Sequence, residues 1–518
     1  MKGHFGENRR ATFPRLGAMD PLFELDLDVA KKGSRDATHA LCSQLRQAIV
    51  EGRLTLGMRL PATRKAERYF GVSRNTAAKV YEQLLSEGFL AARRGSGTFV
   101  ANRIPGPPRT AERLESTPAY PLNEFWLRPD VSDAMGFWRD EIDYTSRTRD
   151  PVRIDFRPGL VDWRRFPFDV FRRVSANQLR GLERAPPRNK SPQGNQGNYA
   201  LRAAIAKHIA ETRAVACQPD DIVVTSGAQQ AFDLLARILV TPSQTVVAIE
   251  DPHYPPMRVA FAAAGAKVVS VGVDAEGLIV EQLPRDARVI SICPSHQFPL
   301  GVTMSLRRRQ ELLDFAARHG AVIVEDDYDG EFRFDGSPLP ALRTSDAANS
   351  VFYVGTFSKC MLPALRLGFI VAPAWAMRTL VSAKNCLDWH SSTPIQRAVA
   401  KFISEGHLTR HVRTMSKIYG ERRKLLLKLL QENLSDWLTP LPSFYGMHLT
   451  ALAHRSVDLN AVSRSLLSQA VSIHALDRYY IDGASNSGLV LGYGAVEPRD
   501  ITHGVALLRR EISGKLHR

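Results

Sequence analysis

The spacing of apolar positions predicts that the chain begins with a small helical module. Leu41, Leu45 and Ile49 recur on one helical face, and further helical stretches follow at residues 62–70 and 74–87. Two short strands are then expected within residues 88–101, after which the pattern becomes irregular and proline-rich.

The second and third helical stretches are separated only by Gly71, Val72 and Ser73. A short glycine-containing turn of this kind joins the helices of a helix-turn-helix, and Ser73 is placed to cap the second helix of the pair. The strands that follow surround Arg94-Gly95-Ser96-Gly97. This basic hairpin tip predicts a wing, so residues 31–102 are expected to form an α+β winged helix-turn-helix.

The larger part of the chain predicts an α/β fold. Short β-rich runs that are apolar throughout alternate with helical segments, which is typical of strands covered on both faces in an open, largely parallel sheet. The runs lie at residues 222–225, 246–249, 268–271, 289–293, 321–324, 351–354 and 368–372. A long amphipathic helix at 407–434 and strands near residues 447–452, 471–474 and 489–493 predict a smaller C-terminal α+β subdomain. The expected division is a linker at 103–150, a large domain at 151–375 and a small subdomain at 376–518.

Composition limits the class of protein. The chain has 518 residues, of which 44% are hydrophobic and 24% charged, so disorder, collagen and coiled coil are poor descriptions. No run of about 18 apolar residues occurs and the N-terminus lacks an apolar secretory segment, so we expect neither a membrane span nor export. The five scattered cysteines indicate neither a disulfide framework nor a structural zinc, and a reducing cytoplasm is expected.

Positive charge is concentrated in the N-terminal module. Residues 31–110 hold 15 lysines and arginines against 5 acidic residues, a net charge of +10 out of +16 for the whole chain. Such clustering favours a nucleic-acid partner, although charge alone fits a solvated basic face equally well.

A lysine in the loop after a strand points to cofactor chemistry. Lys359 follows the apolar run at 351–354, with Thr356 before it and Arg366 seven residues after it. This pattern suits a lysine that forms a Schiff base with pyridoxal 5'-phosphate, while Thr356 and Arg366 bind the phosphate. Taken alone, a lysine at such a position is more often a solvated surface residue.

Three further segments fit the same cofactor. Ser226, Gly227 and Ala228 join a strand to a helix and offer backbone N–H groups to a phosphate. Asp326 ends a strand, where it could face a pyridine nitrogen, and Tyr328 could hydrogen-bond the ring hydroxyl. The acidic cluster around Asp326 would otherwise suggest a divalent-metal site. Tyr254, which follows another strand, could stack on the cofactor or be an ordinary core residue.

The N-terminal module resembles the winged helix-turn-helix domain of GntR-family transcription regulators. The match rests on residues 41–64, on Gly71-Val-Ser-Arg-Asn-Thr-Ala-Ala-Lys79 with the helix that continues to Leu84, and on Gly95-Ser-Gly-Thr-Phe-Val100. Short polar and arginine side chains at the start of a recognition helix reach base edges and phosphates. The residues expected to contact DNA are Arg64, Arg74, Asn75, Thr76, Lys79, Arg94 and Gly95.

The order and spacing of the body's motifs resemble a fold-type I aminotransferase. Residues 294–301 and 191–194 add to the four segments already described. Joined to the winged helix, the whole resembles the MocR subfamily of GntR regulators. The resemblance implies a head-to-tail homodimer that binds an operator in double-stranded DNA and pyridoxal 5'-phosphate, and that senses an amine, an amino acid or the cofactor itself.

Two departures from the aminotransferase pattern bear on function. Phe298 lies where aminotransferases usually place an asparagine on the ring hydroxyl, so His296 or Gln297 is expected to substitute. Residues 487–494 align with the segment that carries the arginine for a substrate's α-carboxylate, and they contain no arginine. Since a bidentate arginine is the main holder of amino-acid substrates, its absence argues against efficient turnover.

Three functions remain open from the sequence. The first is a transcription regulator whose cofactor domain senses an effector, the second an active aminotransferase that also binds DNA, and the third a regulator that has lost the cofactor. The presence of Lys359, Asp326, Tyr328 and Arg366 argues against the third function, and the missing arginine argues against the second. We therefore favour a regulator that is not an enzyme and has no metal site.

Overall fold

The chain forms two compact units, residues 1–122 and 123–518. The computed structural model describes residues 35–93, 95–102, 122–135, 152–184, 195–334, 339–454, 457–481, 483 and 486–515. Arg94 of the expected wing tip and residues 191–194 of the expected cofactor domain lie outside this range. No helix among the described residues is long and apolar enough to cross a membrane.

The first unit is three helices followed by a two-stranded hairpin. Its elements are α1 (Arg35–Val50), α2 (Thr63–Phe70), α3 (Arg74–Ser86), β1 (Leu90–Arg93) and β2 (Gly97–Val100). The predicted face of α1 is fully buried at Leu41, Leu45 and Ile49, where it packs on α3. A bidentate ion pair between Arg46 and Glu87 fastens α1 to the end of α3, with a shortest distance of 2.6 Å.

The turn between α2 and α3 has the geometry that its sequence requires. Gly71 ends α2 in the left-handed region with φ of 66°, which glycine adopts without steric cost. Ser73 caps α3, because its Oγ accepts a hydrogen bond from the backbone N–H of Thr76 at 3.1 Å. The antiparallel β1–β2 pair then closes from Leu90 opposite Val100 to Arg93 opposite Gly97.

The centre of the second unit is an eight-stranded mixed sheet. Its strands are β4 (Ile222–Thr225), β5 (Val246–Asp251), β6 (Lys267–Asp274), β7 (Gly277–Leu278), β8 (Ala287–Ile292), β9 (Val322–Asp327), β10 (Val351–Thr356) and β11 (Gly368–Val371). Their spatial order is β4-β11-β10-β9-β8-β5-β6-β7. The five strands from β10 to β6 are parallel, whereas β11 is antiparallel to both its neighbours and β7 is antiparallel to β6.

Helices cover both faces of this sheet, which explains the apolar runs. Val223 packs into a core with α7 (Ala228–Leu239), α8 (Pro255–Ala263) and α10 (Ala374–Asp388). The next residue, Val224, points to the other face, in a core with α6 (Tyr199–Arg213) and α11 (Thr393–Ser404). The remaining helices of this part are α5 (Phe168–Arg184) and α9 (Leu306–His319).

The C-terminal part has its own four-stranded antiparallel sheet, of order β12-β13-β16-β15. The strands of this sheet are β12 (Leu438–Pro440), β13 (His448–Ala453), β15 (His474–Ala475) and β16 (Gly488–Gly492), while β14 (Val471–Ser472) lies outside it. The helices are α12 (His407–Asn433), α13 (Leu459–Leu467) and α14 (Pro498–Lys515). The expected strand at 471–474 is two short strands, of which β14 pairs in parallel with β3 (Ile154–Asp155).

The predicted linker of residues 103–150 includes a helical segment that packs on the second unit. This segment contains α4 (Pro129–Met135), whose Val131 and Ala134 are buried against Val259 of α8. Arg258 of α8 also makes an ion pair with Asp130 at 3.2 Å. The flanking residues 103–121 and 136–151 are outside the described structure.

Candidate functional site

The turn from β4 to α7 forms a cradle for an anionic group. Gly227 precedes α7 with φ of 81° and ψ of 175°, a conformation essentially restricted to glycine. A Cβ atom at Gly227 would lie 3.1 Å from Nη2 of Arg366, which also donates a hydrogen bond to the Ser226 carbonyl at 3.0 Å. The guanidinium and the N-terminal N–H groups of α7 therefore converge, as a phosphate site requires.

A network behind this cradle fixes Ser226. Its backbone N–H donates to Oε1 of Gln230 at 2.8 Å, and its Oγ lies 3.2 Å from Oγ of Ser391. Lys384, which is fully buried in α10, donates to the same Gln230 oxygen at 3.0 Å and to Asp388 at 2.5 Å. Burial lowers the pKa of Lys384. Sequence reasoning missed Lys384 and Ser391, because neither residue lies near the predicted motifs along the chain.

Lys359 lies in the loop between β10 and β11. Thr356 ends β10 and accepts a hydrogen bond from the backbone N–H of Ser358 at 3.2 Å, which shapes this loop. The Lys359 ammonium donates to the carbonyl of Gly159 at 2.8 Å. Burial lowers the pKa of Lys359 to about 8, although the charges of Asp329 and Asp326 oppose this shift. A fraction of Lys359 is therefore a neutral, nucleophilic amine near neutral pH.

Asp326 is a buried carboxylate with an unsatisfied oxygen. It lies near the end of β9 with 5% of its surface exposed, and its Oδ1 has no hydrogen-bond partner among the described residues. Burial, together with the charges of Asp327 and Asp329, raises its pKa to about 8. A buried oxygen of this kind calls for a donor, and the protonated nitrogen of a pyridine ring is a suitable one.

His296, rather than Gln297, faces Tyr328. The Tyr328 hydroxyl lies 2.9 Å from Nδ1 of His296, which is also 3.0 Å from Asp329. Gln297 is used elsewhere, since its side chain donates to the Pro252 carbonyl at 2.7 Å and accepts from the N–H of Leu300 at 3.1 Å. Sequence reasoning could have found Asp329, because it directly follows Tyr328 in the run Asp326-Asp-Tyr-Asp329.

His296, Asp329 and His448 offer potential metal ligands within 4.8 Å of one another. Hydrogen bonds account for all three side chains, since Asp329 and Tyr328 flank Nδ1 of His296 and Nε2 of His448 lies 2.9 Å from the Pro299 carbonyl. We therefore interpret the cluster as a hydrogen-bonded wall and propose no metal.

Aromatic rings and an apolar strand form the side of the site nearest β16. Phe298 packs edge-on against Tyr254, Tyr328 and Tyr479, with ring centroids 5.3–5.9 Å apart. Val490 of β16 is fully buried in the same ring cluster. All five residues of β16 are buried, and residues 487–494 present no guanidinium to a carboxylate.

The candidate DNA-binding residues of the first unit are at its surface. Arg74, Asn75 and Lys79 are exposed on the first turns of α3, while Thr76 is half-buried and its hydroxyl lies 2.8 Å from that of Ser73. Arg64 is exposed near the start of α2. In the wing, Gly95 is also exposed and has φ of 79°.

Both units match known protein families. Residues 38–100 match the model for bacterial regulatory proteins of the gntR family, and residues 165–484 match that for class I and II aminotransferases. The crystal structure of kynurenine aminotransferase from Pyrococcus horikoshii is similar to the second unit. It has a TM-score of 0.65 and 25% identity, and covers 71% of this chain and 92% of that one.

Two curated relatives share the whole fused architecture. The probable rhizopine catabolism regulatory protein MocR of Rhizobium meliloti is 34% identical over 476 residues, which are 90% of this chain and 92% of the relative. The pyridoxine biosynthesis transcriptional regulator PdxR of Corynebacterium glutamicum is 30% identical over 88% of this chain and 91% of its own length. The chain therefore belongs to the MocR subfamily of GntR-family transcription regulators, in which a DNA-binding helix-turn-helix is fused to a domain with the aminotransferase fold.

Proposed function

We propose that the second unit binds pyridoxal 5'-phosphate through Lys359 and senses an amine, an amino acid or the cofactor itself, without serving as an efficient aminotransferase. The observation that supports this most directly is the unsatisfied Oδ1 of buried Asp326, close enough to Lys359 for their charges to interact. The glycine cradle beside Arg366 supplies the phosphate end of the same site.

The described residues fit the whole cofactor. Arg366 and the turn at 226–228 would hold the phosphate with Thr356, and Asp326 would accept a hydrogen bond from the ring nitrogen. Tyr328 and His296 would face the ring hydroxyl, and Tyr254 would stack on the ring. When bound, the cofactor supplies an aldehyde that condenses with amines and a ring that withdraws electrons.

Protons at two buried groups prepare the site. Burial raises the pKa of Asp326 to about 8, so without the cofactor this carboxyl would hold a proton near pH 7. Oδ1 of Asp326 would face the ring nitrogen of a bound cofactor and would share this proton with it. Burial lowers the pKa of Lys359 to about 8, which raises the share of neutral amine available to react.

The lining around β16 supports sensing over turnover. A substrate's α-carboxylate is held in aminotransferases by a bidentate arginine, and this strand is buried and apolar at Val490. An amine could still bind at the cofactor site, but no guanidinium of residues 487–494 would hold its carboxylate. Binding energy of this kind is what an efficient enzyme uses to lower the barrier of the chemical step.

DNA binding is expected to need two copies of the chain. A head-to-tail homodimer would present two α3 helices, so the operator should contain two half-sites separated by the helical repeat of about 10 bp or a multiple of it. A DNA operator as partner makes the cytoplasm the proposed location.

The decisive experiment is a visible spectrum of the full chain, titrated with a panel of amines and amino acids. We expect a yellow protein, borohydride reduction that fixes a pyridoxyl group on Lys359, and loss of the visible band in Lys359→Ala. The matched control is Lys428→Ala, which removes an exposed lysine of α12. Absence of a pyridoxyl group on Lys359 would contradict cofactor binding, and turnover at rates on the order of 1–10³ s⁻¹ would show an enzyme instead.

A further inference from the structure

A cavity of about 890 Å³ lies on the second unit, apart from the cofactor cradle. Its walls are α4 and the residue stretch before it, the start of α8, the helix α13, and residues 472–481. We call it the α8–α13 cavity. Lys359, Asp326 and Arg366 are not among its lining residues. The Tyr479 ring packs on Phe298 in the ring cluster, and its hydroxyl lies 2.6 Å from Nδ1 of His474, which lines the cavity.

Guanidinium groups reach this cavity from four separate elements. Its lining arginines are Arg128, Arg258, Arg464 and Arg478. The carboxylate of Asp130 makes ion pairs with two of them, at 2.9 Å with Arg128 and at 3.2 Å with Arg258. The lining carboxylates are Asp130, Asp133 and Asp477, so the four guanidinium groups outnumber them by one and can bind a carboxylate ligand.

Asp477 offers the cavity a hydrogen-bond acceptor, in contrast to the arginines, which are donors. Its Oδ2 accepts a hydrogen bond from Asn460 at 2.9 Å, whereas its Oδ1 is buried and has no partner among the described residues. An ionised carboxylate only accepts hydrogen bonds, so Oδ1 calls for a donor from outside the protein. An ammonium group combines that donor with the complementary charge.

His253 is the second buried group of the cavity that lacks partners. Only 2% of its surface is exposed, and neither ring nitrogen is hydrogen-bonded to a described residue. Burial and the charge of Arg258 lower its pKa to about 3, so the ring is neutral and offers one donor and one acceptor. Buried polar groups are normally paired, and two such groups lining one cavity indicate a polar occupant.

We propose that the α8–α13 cavity binds a small zwitterion, with its carboxylate at the guanidinium groups and its ammonium at Asp477. A purely anionic ligand would leave Oδ1 of Asp477 without a donor, and a purely cationic one would face four arginines. A cavity of this volume holds a molecule of amino-acid size or larger. Because none of these residues holds the cofactor, the site is independent of the function proposed above.

The test is direct binding to the full chain, without any activity readout. Saturation-transfer NMR with a mixture of the common amino acids is run on Lys359→Ala, in which Lys359 cannot react with them. Asp477→Asn is nearly isosteric and removes the ammonium partner, and Arg464→Gln removes an exposed guanidinium of α13. Arg509→Gln, which removes an exposed arginine of α14 away from the cavity, is the matched control.

We expect at least one amino acid to bind, and its affinity to fall by roughly tenfold to a hundredfold in Asp477→Asn and in Arg464→Gln but not in Arg509→Gln. Succinate, which has two carboxylates and no ammonium, should bind more weakly than that amino acid. Absence of binding, equal binding to the cavity variants and the control, or equally tight binding of succinate would each overturn the proposal.

Discussion

Replacing Gly227 with alanine tests the phosphate cradle, because it changes the backbone and Arg366 together. The φ of 81° and ψ of 175° at Gly227 cost a side-chain-bearing residue on the order of 1–3 kcal/mol of folding stability. The new Cβ would also lie 3.1 Å from Nη2 and 3.2 Å from Cζ of Arg366, so the guanidinium must move. A shift of this kind strains the hydrogen bond from Arg366 to the Ser226 carbonyl and moves the guanidinium away from the cradle.

The expected effect on cofactor affinity follows from the displaced guanidinium. A hydrogen bond to a charged group contributes about 1.5–3 kcal/mol, and each 1.4 kcal/mol is tenfold in Kd. Gly227→Ala should therefore weaken pyridoxal 5'-phosphate binding by roughly tenfold to a hundredfold. Titration of cofactor-free protein, followed by absorbance, measures this change, and urea unfolding measures stability in the same samples.

Gly320→Ala is the matched control for backbone strain. Gly320 has φ of 61° at the end of α9, and a Cβ there would meet nothing within 4 Å. This variant should lose about 1–2 kcal/mol of stability and keep full cofactor affinity. If Gly227→Ala binds the cofactor as tightly as Gly320→Ala, Arg366 is not at the phosphate and the cradle has been misassigned.

Three further predictions follow from other parts of the structure. Lys384→Met should weaken cofactor binding by roughly tenfold, because the network that holds Ser226 loses its charged donor; titration against the exposed-lysine variant Lys401→Met checks this. In cofactor-free protein the pKa of Asp326 is raised from 3.8 to about 8, so the native state binds the extra proton and stability falls as pH rises through that window. Over that pH range, urea unfolding should show a smaller loss of the free energy of unfolding in Asp326→Asn than in wild type. If this free energy falls equally with pH in both proteins, the raised pKa does not belong to Asp326. Arg74→Ala and Asn75→Ala should each reduce base discrimination by about 1–3 kcal/mol, whereas Lys79→Ala should weaken binding to all sequences and flatten the salt dependence by about one unit. Footprinting with a salt titration measures all three DNA variants, and an unchanged operator preference in the first two would mean that the recognition helix is misplaced.

Residues that lie close along the chain were predictable from the sequence, because each motif sits where a strand ends. The strands β9 and β10 are parallel neighbours, so their carboxyl ends meet at one edge of the sheet. Asp326 lies near the end of β9, and Lys359 lies in the loop after β10. The apolar runs predicted all the central strands except the two-residue β7, which forms one edge of the sheet and pairs with β6 as a hairpin.

Partners that are distant in sequence could not be predicted. Gly159 reaches Lys359 across 200 positions, and Lys384 acts on Ser226 from a helix with no sequence signal of its own. Which of His296 and Gln297 faces Tyr328 also depends on the fold. Adjacent residues point in different directions, and only the fold shows that Gln297 is used to hold the Pro252 carbonyl.

The packing of β16 limits which substitutions this strand can accept. An arginine at Val490 would bring a charged group into the cluster of Phe298 and Tyr479, and burying it unpaired would cost several kcal/mol. Gly492 offers no alternative position, since a Cβ there would lie 2.2 Å from the Arg157 carbonyl oxygen. A guanidinium that could hold a substrate's carboxylate therefore has a large folding cost at Val490 and at Gly492, so the packing of β16 favours the apolar lining that it has.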